Sequence, residues 1–234
     1  MERRDFLKAL AGLFHYALFI SGLETTGLCL HYKGQKEKEV SGMAYTAKDY
    51  KHLLGMPGFS EALLTNHFTL YQGYVSNTNK LLELLGEMIK GGKIGTPEYA
   101  ELKRRMGFEF DGMRLHEFYF DNLGGDGKLD KSGKLYKKIT EDFGSYESWE
   151  ADFKGTGSMR GIGWAILYQD NVTGRLINQW INEHETGHLA GCQPILVMDV
   201  FEHAFMIDYG LKRADYIAAF FKNIKWSAAE GRLK

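Results

Sequence analysis

Ile195-Leu196-Val197-Met198-Asp199-Val200-Phe201-Glu202-His203 is the stretch that organises the reading of this chain. Four apolar residues run into an aspartate, and a histidine follows four positions later. On a helix that spacing puts both side chains on one face, so both reach one point. Just behind a buried apolar segment such a point is dry and rigidly held. A carboxylate and an imidazole there are expected to form half of a metal site. Two upstream histidines are candidates for the other half. His67 lies in Asn66-His67-Phe68-Thr69-Leu70-Tyr71, and His116 in Arg114-Leu115-His116-Glu117-Phe118-Tyr119-Phe120. Each is a single histidine among aromatics on a segment of helical periodicity.

Outward from that stretch the chain divides into three parts. Ile195–Met198 is expected to be a short strand, following two others at Gly163–Gln169 and Gly174–Ile181 whose alternation and β-favouring residues are separated by Asp170-Asn171-Val172-Thr173-Gly174. A short helix around Ser145–Lys154 precedes them, and helices resume over Phe201–Tyr209 and Arg213–Asn223. Further upstream, apolar positions recur at helical spacing from Phe59 to about Lys90 and again from Pro97 to Asn122. Gly91, Gly92 and Gly95 interrupt them, so the pair is expected to form an antiparallel hairpin. The class is α+β: a leader and linker over 1–40, a helical hairpin over 41–125, and a C-terminal α/β domain over 126–234 with a small three-stranded antiparallel sheet. The polar loop Gly124–Gly133 lacks the ligand spacing of a calcium loop.

Composition narrows the function. The 234 residues carry a formal charge of −1, so there is no basic footprint for nucleic acid, and an anionic substrate needs local steering. An aromatic share of 14% suits a packed site shielded from water and equally suits any large core. Two cysteines, Cys29 and Cys192, make neither a disulfide framework nor a thiolate zinc site.

Arg3-Arg4-Asp5-Phe6-Leu7-Lys8 and the apolar stretch from Ala9 to Leu23 resemble a twin-arginine export signal, although Glu2 stands where Ser or Thr is usual. The alternative is an amphipathic helix packed on the body. The stretch is too short and too interrupted for a stable membrane span. The chain is expected to be periplasmic or exported if the signal reading holds, and cytoplasmic otherwise.

The blocks around the candidate ligands carry a resemblance. Tyr74-Val75-Ser76-Asn77-Thr78-Asn79 follows His67, and Tyr119-Phe120-Asp121-Asn122-Leu123 follows His116. Gly161-Ile162-Gly163-Trp164 opens a strand, and Asp199-Val200-Phe201-Glu202-His203-Ala204 closes the series. In this order the chain resembles the iron/manganese superoxide dismutases, from about Gly55 to Trp226. Any one block is weak, and the ordered set is specific. A lone histidine is more often a satisfied core residue; four matching positions reverse that judgement.

The resemblance implies His67, His116, Asp199 and His203 as ligands of one iron or manganese ion per subunit, a mixed N/O set unlike that of a thiolate-seeking metal. It implies superoxide as substrate, O2 and H2O2 as products, and a homodimer or higher homo-oligomer. Tyr74 matches the tyrosine near the open coordination position, but the spacing from His67 is one residue short. On an ideal helix Tyr74 lies about 20° and Tyr71 about 40° from His67, so either tyrosine serves. Gly112 stands where iron-type members carry a glutamine, and His184 aligns with the position from which manganese-type members send theirs. His184 is therefore expected to be an outer partner held by Trp164, or else an exposed loop histidine. Arg213 matches a basic residue at the substrate entrance, or is a surface arginine. Phe120 and Phe201 replace tryptophans. Glu202 matches the glutamate that crosses a two-fold interface to the partner's histidine, while Met206 replaces an interface tyrosine. Two other readings use the same residues: a mononuclear non-haem iron enzyme of another type, marked by an organic co-substrate, and a non-catalytic metal-binding relative.

Overall fold

In the computed structural model, which describes residues 44–234, the leucine periodicity of the first helical segment becomes α1 (Glu61–Lys90). Ser60 caps it by accepting the N–H of Leu63. After the glycine turn comes α2 (Pro97–Asp121), with Thr96 as cap and Pro97 in the first turn, where its missing N–H costs nothing. Tyr71 meets Glu117, Tyr74 lies against Gly112, and Asn77 meets Glu109, so numbers fall along one helix as they rise along the other. The hairpin is antiparallel.

Helices α3 (Lys134–Phe143) and α4 (Tyr146–Gly157) lead to strands β1 (Trp164–Asp170), β2 (Leu176–Ile181) and β3 (Cys192–Asp199). The sheet has the order β2-β1-β3 and both pairings are antiparallel. Central β1 is buried over its first six residues. After β3 come a 3-10 turn (Glu202–Ala204), α5 (Met206–Tyr209), α6 (Arg213–Lys222) and α7 (Trp226–Glu230). This is the expected α+β architecture of helical hairpin followed by a three-stranded antiparallel sheet.

One continuous apolar core draws on the hairpin (Leu64, Phe68, Tyr119, Phe120), the sheet (Trp164, Ile166, Val197) and α6 (Tyr216, Phe220). Asn122, at the end of α2, fastens these layers. Its side-chain amide donates to Val197 O, and its own backbone carbonyl accepts from Lys225 N. Gly163 has φ +125, and a Cβ there would overlap the Ile181 carbonyl, so only glycine permits this entry into β1.

Two expectations are corrected. Residues 201–209 are not one helix: Asp199 ends β3, Phe201 is extended, and Phe205 (φ −146) separates the 3-10 turn from α5. The cause is local. Asp199 Oδ1 accepts the Phe201 N–H at 2.9 Å, an Asx turn that competes with helix formation. Asp199 and His203 are thus neighbours through a chain reversal. Helices α3 and α7 were not expected, although Leu135 and Ile139, four apart and both fully buried, carry the α3 signal. The export-signal reading, the leader and linker over 1–40 and Cys29 lie outside the described residues. Among those described, no helix is long and apolar enough to cross a membrane.

Candidate metal centre

Each of the four candidate ligands comes from a different place: His67 from α1, His116 from α2, Asp199 from the end of β3 and His203 from the 3-10 turn. Their ligating atoms lie within 4.8 Å of one another. Asp199 Oδ2 is the focus, at 3.2 Å from His67 Nε2, 3.1 Å from His203 Nε2 and 3.6 Å from His116 Nε2. The other oxygen, Oδ1, is held by the Asx turn, which fixes the carboxylate plane. Tyr216 adds a hydroxyl donated to the Asp199 carbonyl at 2.6 Å.

The tautomer of His116 follows from its neighbours. The Gly112 carbonyl can only accept, so Nδ1–H donates to it at 2.6 Å and Nε2 is left with its lone pair. That Nε2 is fully buried without a hydrogen-bond partner. An orphaned basic nitrogen in a dry core is costly unless a cation takes its lone pair. Burial lowers the pKa of His67 and lowers that of His116 further, against the pull of Asp199, so both rings are neutral as ligation requires. Burial alone would raise the Asp199 carboxyl; its electrostatic and hydrogen-bonding contacts with His203, and then with His67, outweigh burial and hold the group below the usual range. Three imidazoles and one carboxylate fit a single iron or manganese ion.

Aromatic rings wall the cluster. Trp164, fully buried, meets the His116 ring edge-on at 5.1 Å, and Phe120 meets His67 at 4.9 Å. Phe201 stacks on His203 at 5.2 Å. Tyr74 stacks on His116 at 5.1 Å, whereas the Tyr71 hydroxyl turns away to Glu117 Oε1 at 3.0 Å. Of the two tyrosines, Tyr74 packs more closely on His116, and its hydroxyl faces His184. Its ring occupies the room left by Gly112, where an added Cβ would come within 2.7 Å of it.

His184 is fully buried and not an exposed loop residue. The Trp164 indole N–H donates to its Nδ1 at 3.1 Å, and its Nε2 faces the Tyr74 hydroxyl at 2.7 Å. In the neutral ring the proton therefore sits on Nε2 and is donated to Tyr74. Both nitrogens are engaged, so the hydrogen bonds of this ring run from Trp164 to Tyr74. Burial pushes its pKa down to about 4.

Arg213 makes its hydrogen bonds to backbone carbonyls and not to the four candidate ligands. It donates to the carbonyls of Met159 (2.7 Å) and Gly161 (2.8 Å) and lies over the Phe205 ring, clamping the turn before β1. Glu202 is exposed. Two contributors were missed in the sequence. Phe108 packs on His184 at 4.6 Å, and its place in α2, eight residues before His116, was a readable signal. His188 donates to the His184 carbonyl; nothing in its sequence context marked it.

Fold and site together define a class: a single-ion metalloprotein whose three imidazoles and one carboxylate converge between a helical hairpin and a small antiparallel sheet. Comparison with known proteins specifies it. The family model described as iron/manganese superoxide dismutases, C-terminal domain, matches residues 131–232. The chain is 37% identical to a superoxide dismutase [Mn] of Haloferax volcanii, over 75% of this chain and 87% of that protein. It is 39% identical to a superoxide dismutase [Fe] of Cupriavidus metallidurans, over 76% and 89% respectively. A superoxide dismutase [Fe] of Aquifex pyrophilus is 36% identical, over 80% and 90%. The chain belongs to the iron/manganese superoxide dismutase family.

Proposed function

We propose that this chain is a superoxide dismutase, converting two superoxide anions and two protons to O2 and H2O2 at one iron or manganese ion held by His67, His116, Asp199 and His203. The observation that carries this is the convergence of three Nε2 atoms on one oxygen of Asp199, with the His116 nitrogen otherwise orphaned. The bound metal supplies one-electron redox chemistry in both directions. The protein holds neutral imidazoles and an ionised carboxylate in a dry cage, and it manages the protons.

Tyr74 is the proton-handling group. It accepts from His184 Nε2–H, so its own hydroxyl hydrogen is free to turn towards the histidine cluster. Burial, with Asp199 next in size, raises its pKa, so the phenol stays protonated at working pH. His184 positions Tyr74, and Trp164 positions His184. Arg213, fixed by two carbonyls, contributes a stationary positive charge that attracts the anion.

The deciding experiment is metal analysis of the protein from its native host, paired with superoxide decay by the iron and manganese reconstituted forms. Tight metal with no superoxide turnover in either form favours a non-catalytic relative, and turnover that needs an organic co-substrate favours another iron enzyme.

The chain is further proposed to act as a homodimer and to be exported. Exposed Glu202 adjoins the exposed apolar residues Met206, Ile207 and Leu211, a combination suited to a contact between copies. Sedimentation of the wild type and of Glu202→Ala tests this. Arg3 and Arg4 suit a route that carries folded proteins; Lys at both positions would block periplasmic recovery if that route is used.

A further inference from the structure

His188 lies in the β2–β3 connection, four residues after His184, and its two nitrogens are both used. Nε2 stands 2.7 Å from the His184 carbonyl, which can only accept, so that nitrogen carries the proton. Nδ1 then accepts the Tyr168 hydroxyl at 2.6 Å. Tyr168 belongs to central β1 and is 1% exposed, so the anchor point is part of the rigid core. Asp111 Oδ2 of α2 stands 3.8 Å from the same Nε2.

The segment held in this way needs holding. Glu183, beside His184, has φ +58, a conformation that costs a non-glycine residue free energy and persists only when its surroundings enforce it. A single bridge, Asn182 to Thr186, is the backbone pairing recorded within the turn. Yet His184 must present both ring nitrogens at fixed points to meet Trp164 and Tyr74.

We infer that His188 is a positioning residue for the dismutase centre: by bridging the core hydroxyl of Tyr168 to the backbone carbonyl of His184, it sets the place of the His184 ring and, through it, of the Tyr74 hydroxyl. The inference rests on the dismutase reading and adds a residue outside the ligand cage. His188 touches neither substrate nor metal ligand. A glutamine carboxamide offers the same pair of functions, an N–H donor and an acceptor oxygen, whereas leucine offers bulk alone.

The test uses the full, metal-loaded chain with His188→Leu, His188→Gln and Tyr168→Phe. Three quantities are read: metal content, amide hydrogen–deuterium exchange over residues 182–188, and the split of kcat and KM for superoxide. His188→Leu is expected to keep its metal, to exchange faster across that turn, and to lose about fivefold in kcat with little change in KM. His188→Gln should restore both exchange and kcat to within about twofold of wild type. Tyr168→Phe, which leaves His188 in place, should move both in the same direction by less, and decides the matter if His188→Leu fails to fold. Wild-type exchange or wild-type kcat in His188→Leu overturns the inference, as does a glutamine variant no better than the leucine one. A wild-type protein inert towards superoxide would sink the dismutase reading itself; an active wild type with indifferent variants sinks this inference alone.

Discussion

Trp164 donates its indole N–H to Nδ1 of His184 across 3.1 Å, and through that one bond a buried tryptophan determines which nitrogen of a neighbouring ring carries the proton. With Nδ1 occupied, the neutral ring can only present Nε2–H to Tyr74. His184→Ala is expected to keep its metal and to lose about tenfold in turnover, equivalent to roughly 1.4 kcal/mol of barrier. His184→Gln retains a donor for Tyr74 and should fall between the two. Metal content and superoxide decay, measured on the same samples, check this; an unchanged rate in the alanine variant excludes the role.

The two tyrosines of α1 should separate cleanly. Tyr74→Phe keeps the ring against His116 and removes the hydroxyl, so turnover falls while metal content and melting temperature stay close to wild type. Tyr71→Phe strips Glu117 Oε1 of a buried donor and should cost about 1–3 kcal/mol of stability with activity preserved. Chemical denaturation beside the activity assay distinguishes them.

Gly112 and Tyr74 are packed as a pair. A methyl at position 112 would approach the tyrosine ring to 2.7–3.0 Å. Gly112→Ala is therefore expected to destabilise by about 1–3 kcal/mol and to displace Tyr74, lowering turnover as well. Gly112→Ala combined with Tyr74→Phe should show non-additive activity losses, because the first substitution already removes the hydroxyl from its place.

Protonation gives a signed pH dependence. The folded His184 has its pKa pushed down by burial to about 4, while the unfolded side chain titrates near 6.5. Between those values the unfolded chain binds the extra proton, so stability rises with pH through the window and is lost as pH falls from 6.5 towards 4. The full contribution is about 3 kcal/mol. Urea unfolding after metal removal, at pH 7 and pH 5, should show a larger loss in wild type than in His184→Gln; equal losses contradict the buried neutral histidine.

Metal removal should act on folding itself. A ligand held at a hundred times its Kd stabilises by about 2.7 kcal/mol, so chelation should lower the melting temperature of wild type and leave Asp199→Ala unaffected. A chelator-sensitive Asp199→Ala protein argues that the ion sits elsewhere.

Much of this molecule was legible from residues alone, for identifiable reasons. The hairpin declared itself because apolar positions recur at helical spacing on either side of a glycine turn. The sheet showed through alternation and β-favouring residues on either side of Asp170–Gly174. His67, His116, Asp199 and His203 stood out as ligating groups among apolar neighbours, and the structure brings these four together. The path from Asp199 to His203 was misread because a spacing of four fits a helical turn and an Asx reversal equally well; only the Phe201 N–H, a backbone group common to every residue, decides between them. His184 was left between two readings because its burial depends on Phe108 and Trp164, from α2 and β1. His188 was missed because its partners are a strand hydroxyl and a main-chain carbonyl, and neither leaves a pattern in a one-dimensional string.

His67 and Asp199 meet across 132 positions of chain. A ribosome that has released only the two long helices has produced two of the four donors, His67 and His116, and no carboxylate to complete the cage. The complete four-ligand centre can assemble only after position 203 has been made, so the last of its donors comes late in synthesis.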